Sequence, residues 1–186
     1  MPAIINKSAT LHKGRVFSLM NENYTLDNGV TAEMDFIRHP GAAAMVPMIN
    51  NREVVLIKQY RHAIREFIWE IPAGTLNPDE SPIRCARREL IEEIGYSATD
   101  WHQLGTITPL PGCSDERIHI FLALDLKPAE QELDDDEVIN VHKMNLSEAM
   151  QMILAGEISD GKTISGLFLA FSWLKNNHPP FIESDL

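Results

Sequence analysis

The stretch 74–96, GTLNPDESPIRCARRELIEEIGY, holds four glutamates, an arginine and two glycines at the spacing G-x5-E-x7-R-E-U-x-E-E-x-G-U, where U is a bulky apolar residue. Glu80, Glu89, Glu92 and Glu93 are crowded into one short segment. Carboxylates so grouped repel one another unless a cation sits among them, and their oxygens suit hard divalent ions such as Mg²⁺ and Mn²⁺. The segment reads as a helix: Ser81 suits the N-cap, Pro82 the first helical position and Gly95 the C-terminal cap. Ile83, Ala86, Leu90 and Ile94 form a single apolar stripe. At about 100° per residue, Glu89 and Glu93 stand one turn apart beside that stripe, at the edge of the core, where a shared cation is favoured. Glu92 lies further round, within reach of Arg88 at i+4. Gly74, following Pro72-Ala73, is expected to let the chain turn sharply and leave a main-chain carbonyl free to face a metal.

Several elements must hold this helix in place. Strands are predicted over 15–20, 23–26 and 30–37, with Asp27-Asn28-Gly29 as a hairpin turn, because Asn-Gly accepts positive φ at little cost. Further strands are expected over 42–49, 53–60 and 67–71, then 101–107, 117–126 and 138–144, from their β-branched and aromatic content. Two helices, 147–154 and 162–175, close the chain. Strands around one central helix, with further helices outside, predict a mixed α/β sandwich rather than a parallel βαβ array.

The 186 residues fit one domain, and an apolar fraction of 44% is ample for a core. A net charge of −11 argues against general nucleic-acid binding, which needs a basic face to neutralise phosphates. The acid gathers in two places, 80–93 and 130–137, which could converge on one metal site. Cys85 and Cys113 are too few for a disulfide framework and read as free thiols in a reducing compartment. MPAIINKSATLHKGR lacks the apolar core of a secretory signal, and no apolar stretch approaches the length of a membrane span. A cytoplasmic protein without a membrane partner is the expectation.

The 74–96 pattern is the signature of the Nudix hydrolases, and the chain resembles that family at every fixed position. The resemblance implies a Nudix α/β/α sandwich of mixed sheets with an N-terminal antiparallel strand extension. It divides the chain into a strand region and dimerisation arm, 1–40, and a catalytic domain, 41–186. It also implies metal-dependent cleavage of a nucleoside diphosphate linked to another group, with Mg²⁺ as cofactor and Mn²⁺ as substitute. Carried over residue by residue, it makes Glu89, Glu93 and the Ala73 carbonyl metal ligands, Glu92 a supporting ligand and Arg88 an orienting residue. Metal ions neutralise the anionic oxygens of a pyrophosphate, align a water and stabilise the leaving phosphate.

Similarity extends from about Gly14 to Leu174. RHPGAAAMVPM (38–48), IWEIPAG (68–74) and PLPGCSDERIHIFLA (109–123) resemble the ADP-ribose and nucleoside diphosphate sugar pyrophosphatases, with Pro111 in the place of that group's proline beyond the box. The run 132–137, ELDDDE, matches the acidic loop that supplies the catalytic base; Glu137 is the expected base, with Asp135 and Asp136 as alternates. Lys58, Arg61, His62 and Arg65 form a basic cluster expected to engage phosphate, with arginine favoured for bidentate contact. Arg61 is its strongest member by resemblance, and Glu70 is expected to support the metal, to orient Arg61 or to serve structurally. Glu116 is the expected substrate contact of the 114–116 loop. His39, His119 and His142 show no metal-ligand spacing and are read as structural or exposed. The base of the nucleotide often stacks on an aromatic from the partner's N-terminal strands in this group, for which Phe17, Tyr24 and Phe36 are available. A homodimer is therefore expected. Among the alternatives are a preference for GDP-mannose, broad sugar-nucleotide specificity, and a non-catalytic nucleotide-sugar sensor. The sensor is disfavoured because Glu89, Glu92 and Glu93 are all present.

Overall fold

A strand buried on both faces organises the molecule. In β4 (Ala42–Pro47) every residue is buried, and its side chains alternate between two cores. Ala42, Ala44 and Val46 face one cluster, while Ala43 and Met45 face the other. The first cluster lies under α2 (Leu146–Leu154) and α3 (Gly161–Asn177); the second lies under α1 (Pro82–Ile94). That arrangement is the mixed α/β sandwich predicted from the element order, in the α/β/α form that the resemblance implies. This computed structural model describes residues 3–133 and 138–177.

The described residues form three sheets. In the central sheet β4 pairs with β7 (Ala73–Thr75) on one side and parallel to β9 (Ile118–Pro128) on the other, and β8 (Tyr96–Ile107) closes the edge beyond β9. A second, antiparallel sheet has β5 (Glu53–Arg61) between β6 (Glu66–Glu70) and β10 (Ile139–Asn145). The third is a meander of β1 (Ala3–Lys13), β2 (Ser18–Leu26) and β3 (Thr31–Arg38). It reaches the central body through an isolated bridge between Ile37 and Ser114. Among the described residues no helix is long and apolar enough to cross a membrane.

Three sequence expectations are corrected. Residues 15–17 are not strand: Gly14 N–H donates to the Phe17 carbonyl at 2.9 Å and turns the chain between β1 and β2. The segments 18–20 and 23–26 are one continuous strand. The strand expected from Trp101 starts at Tyr96, directly after the helix, because Gly95 at φ 67° reverses the chain within one residue. The predicted Asn-Gly turn is present, with Gly29 at φ 83° and Gly29 N–H donating to Leu26 O at 3.0 Å.

Candidate active site

The helix α1 forms where its capping residues predict, and Ser81 carries the extended backbone of an N-cap. Its hydroxyl makes no capping bond; the main chain does that work, with Ser81 O accepting from Arg84 and Cys85 N–H. Cys85, Ala86, Leu90 and Ile94 bury against β4 and β9, and Glu93 is drawn down with them to 2% exposure. Burying a carboxylate is costly without a partner. Glu93 Oε2 has one in the Ala73 N–H at 2.8 Å, which ties the box helix to the short strand β7.

Gly74 has a different role from the turn expected of it. It lies in β7 opposite Ala43, and a Cβ built there would overlap the Glu89 carboxylate. Glycine is needed so that Glu89 can lie against the main chain. Nearby, the Cys85 thiol donates to the Gly74 and Thr75 carbonyls at 3.4 and 3.6 Å. Burial, reinforced by the Glu89 charge, pushes this thiol up to about 12.

Arg88 does more than pair with Glu92. Its Nε and NH2 donate to the two oxygens of Glu80 at 3.0 and 2.9 Å, NH1 donates to both Glu92 (2.8 Å) and Glu89, and NH2 also reaches Thr75 O. The bonds from Arg88 bring the Glu80 carboxyl down to about 2 against the opposing effect of burial, and the Glu80 bond in turn raises Arg88. Among the described residues no three acidic, His or Cys side chains are placed to hold a metal ion; Glu80, Glu89 and Glu92 are turned onto this guanidinium. Glu89, Glu92, Glu93 and Glu132 nevertheless line one pocket of about 330 Å³ together with Gln59, Arg61 and Ala73. That set of hard oxygen donors, and the glycine cradle around Glu89, fit a divalent cation of the Mg²⁺ type.

Glu132 reaches the pocket because the start of the acidic loop is fastened to the end of α1. Ala129 N–H donates to Gly95 O, Glu132 N–H to Glu92 O, and the Gln131 amide to Glu93 O. These bonds satisfy carbonyls that a helix C-terminus leaves open. At the loop's far end Tyr60 N–H donates to Val138 O. Glu137, Asp135 and Asp136 lie outside the described residues.

Beside the carboxylate pocket runs a larger cleft of about 810 Å³, and Arg61, Ala73, Gly74 and Thr75 line both. Arg61 is held at this junction by Glu70, whose Oε2 accepts from Arg61 Nε at 2.8 Å. This bond to Arg61 is the contact that an orienting role for Glu70 needs. The other Glu70 oxygen accepts from Lys162 Nζ at 2.7 Å, and Lys162 also bonds Asp160 at 3.0 Å. Burial works to raise the Asp160 carboxyl, but Lys162 and the bonds from Thr163 outweigh it and hold it low. Asp160 caps α3 through the Thr163 N–H, and the Thr163 hydroxyl accepts from Ile71 N–H. Lys162 and Asp160 were not legible as site residues, being ninety-odd positions from Glu70; the local signal was the Asp-Gly-Lys-Thr cap before an apolar helix.

Glu116 and His39 also line the cleft, with His39 Nδ1 3.6 Å from a Glu116 oxygen. His39 thus belongs to the cleft wall as well as bracing its own turn by accepting from Gly41 N–H. Pro109 and Leu110 form the wall, whereas Pro111 sits exposed in the turn that follows. Arg65, at φ 60° in the β5–β6 turn, lines neither cavity. Lys58 departs from the basic cluster: strand alternation sends it to the opposite face from Arg61, where its ammonium lies 5.2 Å from the centre of the Trp69 ring.

Residues 38–166 match the NUDIX domain model. The chain belongs to the NUDIX domain family. Its relatives match more than four fifths of it. A methanol dehydrogenase activator from Bacillus methanolicus is 38% identical over 85% of this chain and 86% of its own. An ADP-ribose pyrophosphatase from Bacillus subtilis strain 168 is 36% identical over 82% and 84%. A crystal structure of an ADP compounds hydrolase shares the fold, with a TM-score of 0.83, 24% identity, and coverage of 96% of this chain and 97% of that one. With the Nudix box intact and these relatives, the chain is a hydrolase of the Nudix type, a class that depends on a divalent metal.

Proposed function

We propose that this Nudix enzyme uses Mg²⁺ to cleave the diphosphate of ADP-ribose and related nucleoside diphosphate sugars, releasing a nucleoside monophosphate and a sugar phosphate. The observation that carries the reading is the junction of the two cavities at Arg61 and Ala73–Thr75. A diphosphate lying there would present its anionic oxygens to the carboxylate pocket's ion and leave the organic groups to the larger cleft. That cleft is within the usual size range for small-molecule sites. The relative named an ADP-ribose pyrophosphatase supports the same substrate class.

Glu89, Glu93 and the Ala73 carbonyl would hold the ion, with Glu92 supporting. Glu89 and Glu92 would share their oxygens between the ion and Arg88. The bound ion supplies charge neutralisation at the bridging phosphates and activation of water. Arg61, fixed by Glu70, binds a phosphate oxygen pair; it is better supported than Arg65, because it lines both cavities. Glu116 meets the organic part of the substrate in the cleft. Glu137 takes the proton of the attacking water, a reading supported by the fastening of its loop's start to α1.

The test is incubation with ADP-ribose, GDP-mannose and UDP-glucose in Mg²⁺, with products separated by anion exchange. ADP-ribose should yield AMP and ribose 5-phosphate, and Glu137→Gln should slow that turnover while Mn²⁺ affinity is kept. A stronger rate on GDP-mannose would shift the preferred substrate, and turnover of none would point to a sensor and end the enzymatic reading.

The N-terminal sheet is proposed as a dimerisation arm. Ile4, Ile5, Leu11, Phe17 and Val30 are exposed on it or at its turns, more apolar surface than an isolated meander needs. Sedimentation equilibrium should return the mass of two chains, and truncation before Gly41 should return one. A native protein sedimenting as a single chain at micromolar concentration would remove the proposal.

A further inference from the structure

Gln59 is the least expected member of the carboxylate pocket. It follows Ile57 on the same face of β5 and precedes Arg61 on that face, so the strand's alternation carries it from the core to the pocket wall. Its side chain is 5% exposed, yet its Oε1 has no hydrogen-bond partner among the described residues. A buried carbonyl left without a donor is costly, and an apolar residue of similar size would remove that cost.

None of the donors that line the pocket bonds Gln59 Oε1. Arg61 gives its Nε and NH2 to Glu70, and Arg88 is spread over Glu80, Glu89 and Glu92. Arg15, Thr75 and Asn77 also line the pocket, and its four carboxylates, Glu89, Glu92, Glu93 and Glu132, only accept. An additional acceptor oxygen in such company needs a positively charged or proton-donating occupant. A hydrated divalent cation is both.

We infer that Gln59 belongs to the divalent-cation site, its Oε1 serving as an acceptor toward the hydrated ion that Glu89 and Glu93 hold. Gln59 is then a positioning residue for the ion, and its unmet hydrogen bond is the cost of a site kept ready. The inference rests on the Nudix reading of the pocket and adds a neutral oxygen to it.

The experiment compares native protein, Gln59→Met and Gln59→Glu after chelator treatment, by titrating Mn²⁺ and following the free ion by electron paramagnetic resonance. Melting temperatures of the metal-free proteins are measured in parallel. Gln59→Met should bind Mn²⁺ about tenfold more weakly, the scale of a group that supports a metal's ligands. Its metal-free melting temperature should equal or exceed the native one, because an unsatisfied oxygen has been removed. Gln59→Glu keeps an oxygen and should bind Mn²⁺ at least as well as native protein. Unchanged Mn²⁺ affinity in Gln59→Met overturns the inference while leaving the Nudix reading intact. A metal-free Gln59→Met that melts well below native also overturns it, since Oε1 would then have had a structural partner. Native protein that takes up no Mn²⁺ would end both.

Discussion

Glu93→Gln should lower turnover on the order of a thousandfold while the protein stays folded. The two halves of this expectation have separate causes. Glu93 is nearly fully buried and its Oε2 accepts the Ala73 N–H, a bond that a glutamine carbonyl oxygen can also accept. Shape and hydrogen bond survive, so the melting temperature should move by only a few degrees. The change removes one negative charge from the pocket, and a divalent ion worth several kcal/mol to the transition state is held by that charge. Steady-state rates at saturating Mg²⁺, with a circular-dichroism melt beside them, are the measurement. A near-native rate would exclude Glu93 as a metal ligand.

Arg88→Met should have the largest effect on stability, about 2–3 kcal/mol, somewhat below the cost of breaking a fully buried ion pair because Arg88 keeps some contact with solvent. It would leave Glu80, Glu89 and Glu92 facing one another with no cation between them. For a chain of this length the melting temperature should fall by roughly 5–10 °C at neutral pH. Acid provides a second readout. The Glu80 carboxyl is lowered from 4.5 to about 2 in the folded protein, chiefly by its Arg88 bond. Its stabilisation is therefore present above pH 4.5 and lost as pH falls through about 2. The variant lacks that contribution throughout, so the gap between the two proteins should narrow on acidification across this window. A gap that stays constant or widens would show that the Arg88 cluster does not hold the box loop.

The box helix, the Asn-Gly hairpin and the strand β4, though not its burial on both faces, were legible in the sequence because each is written in local terms: a 3.6-residue stripe, a turn dipeptide, a strand-forming composition. The family's fold followed from the box and its flanking words. β1 was missed because INKSATLHK has little apolar alternation and its strand character comes from pairing with β2. β7 is three residues long and exists only because β4 lies beside it. Gly74 was assigned to a turn because the closeness of Glu89, fifteen residues on, cannot be seen along the chain. The same distance blindness hid Lys162 and Asp160, whose partner Glu70 lies on another element. Lys58 was grouped with Arg61 by proximity in sequence, whereas strand alternation separates them.

The parallel pairing of β4 with β9 sets Ala42 opposite Ile118, with the entire box between them in the chain. Contacts so far apart in sequence are slow to close. During synthesis α1 leaves the ribosome before β9 does, so the catalytic helix is made while half of the sheet it will rest on is still missing. β4 can cover part of its apolar stripe at once, and the part that faces Phe121 and Ala123 has no cover until β9 arrives. A pause in translation once α1 has cleared the ribosome and before β9 has done so would therefore leave apolar surface exposed to aggregation.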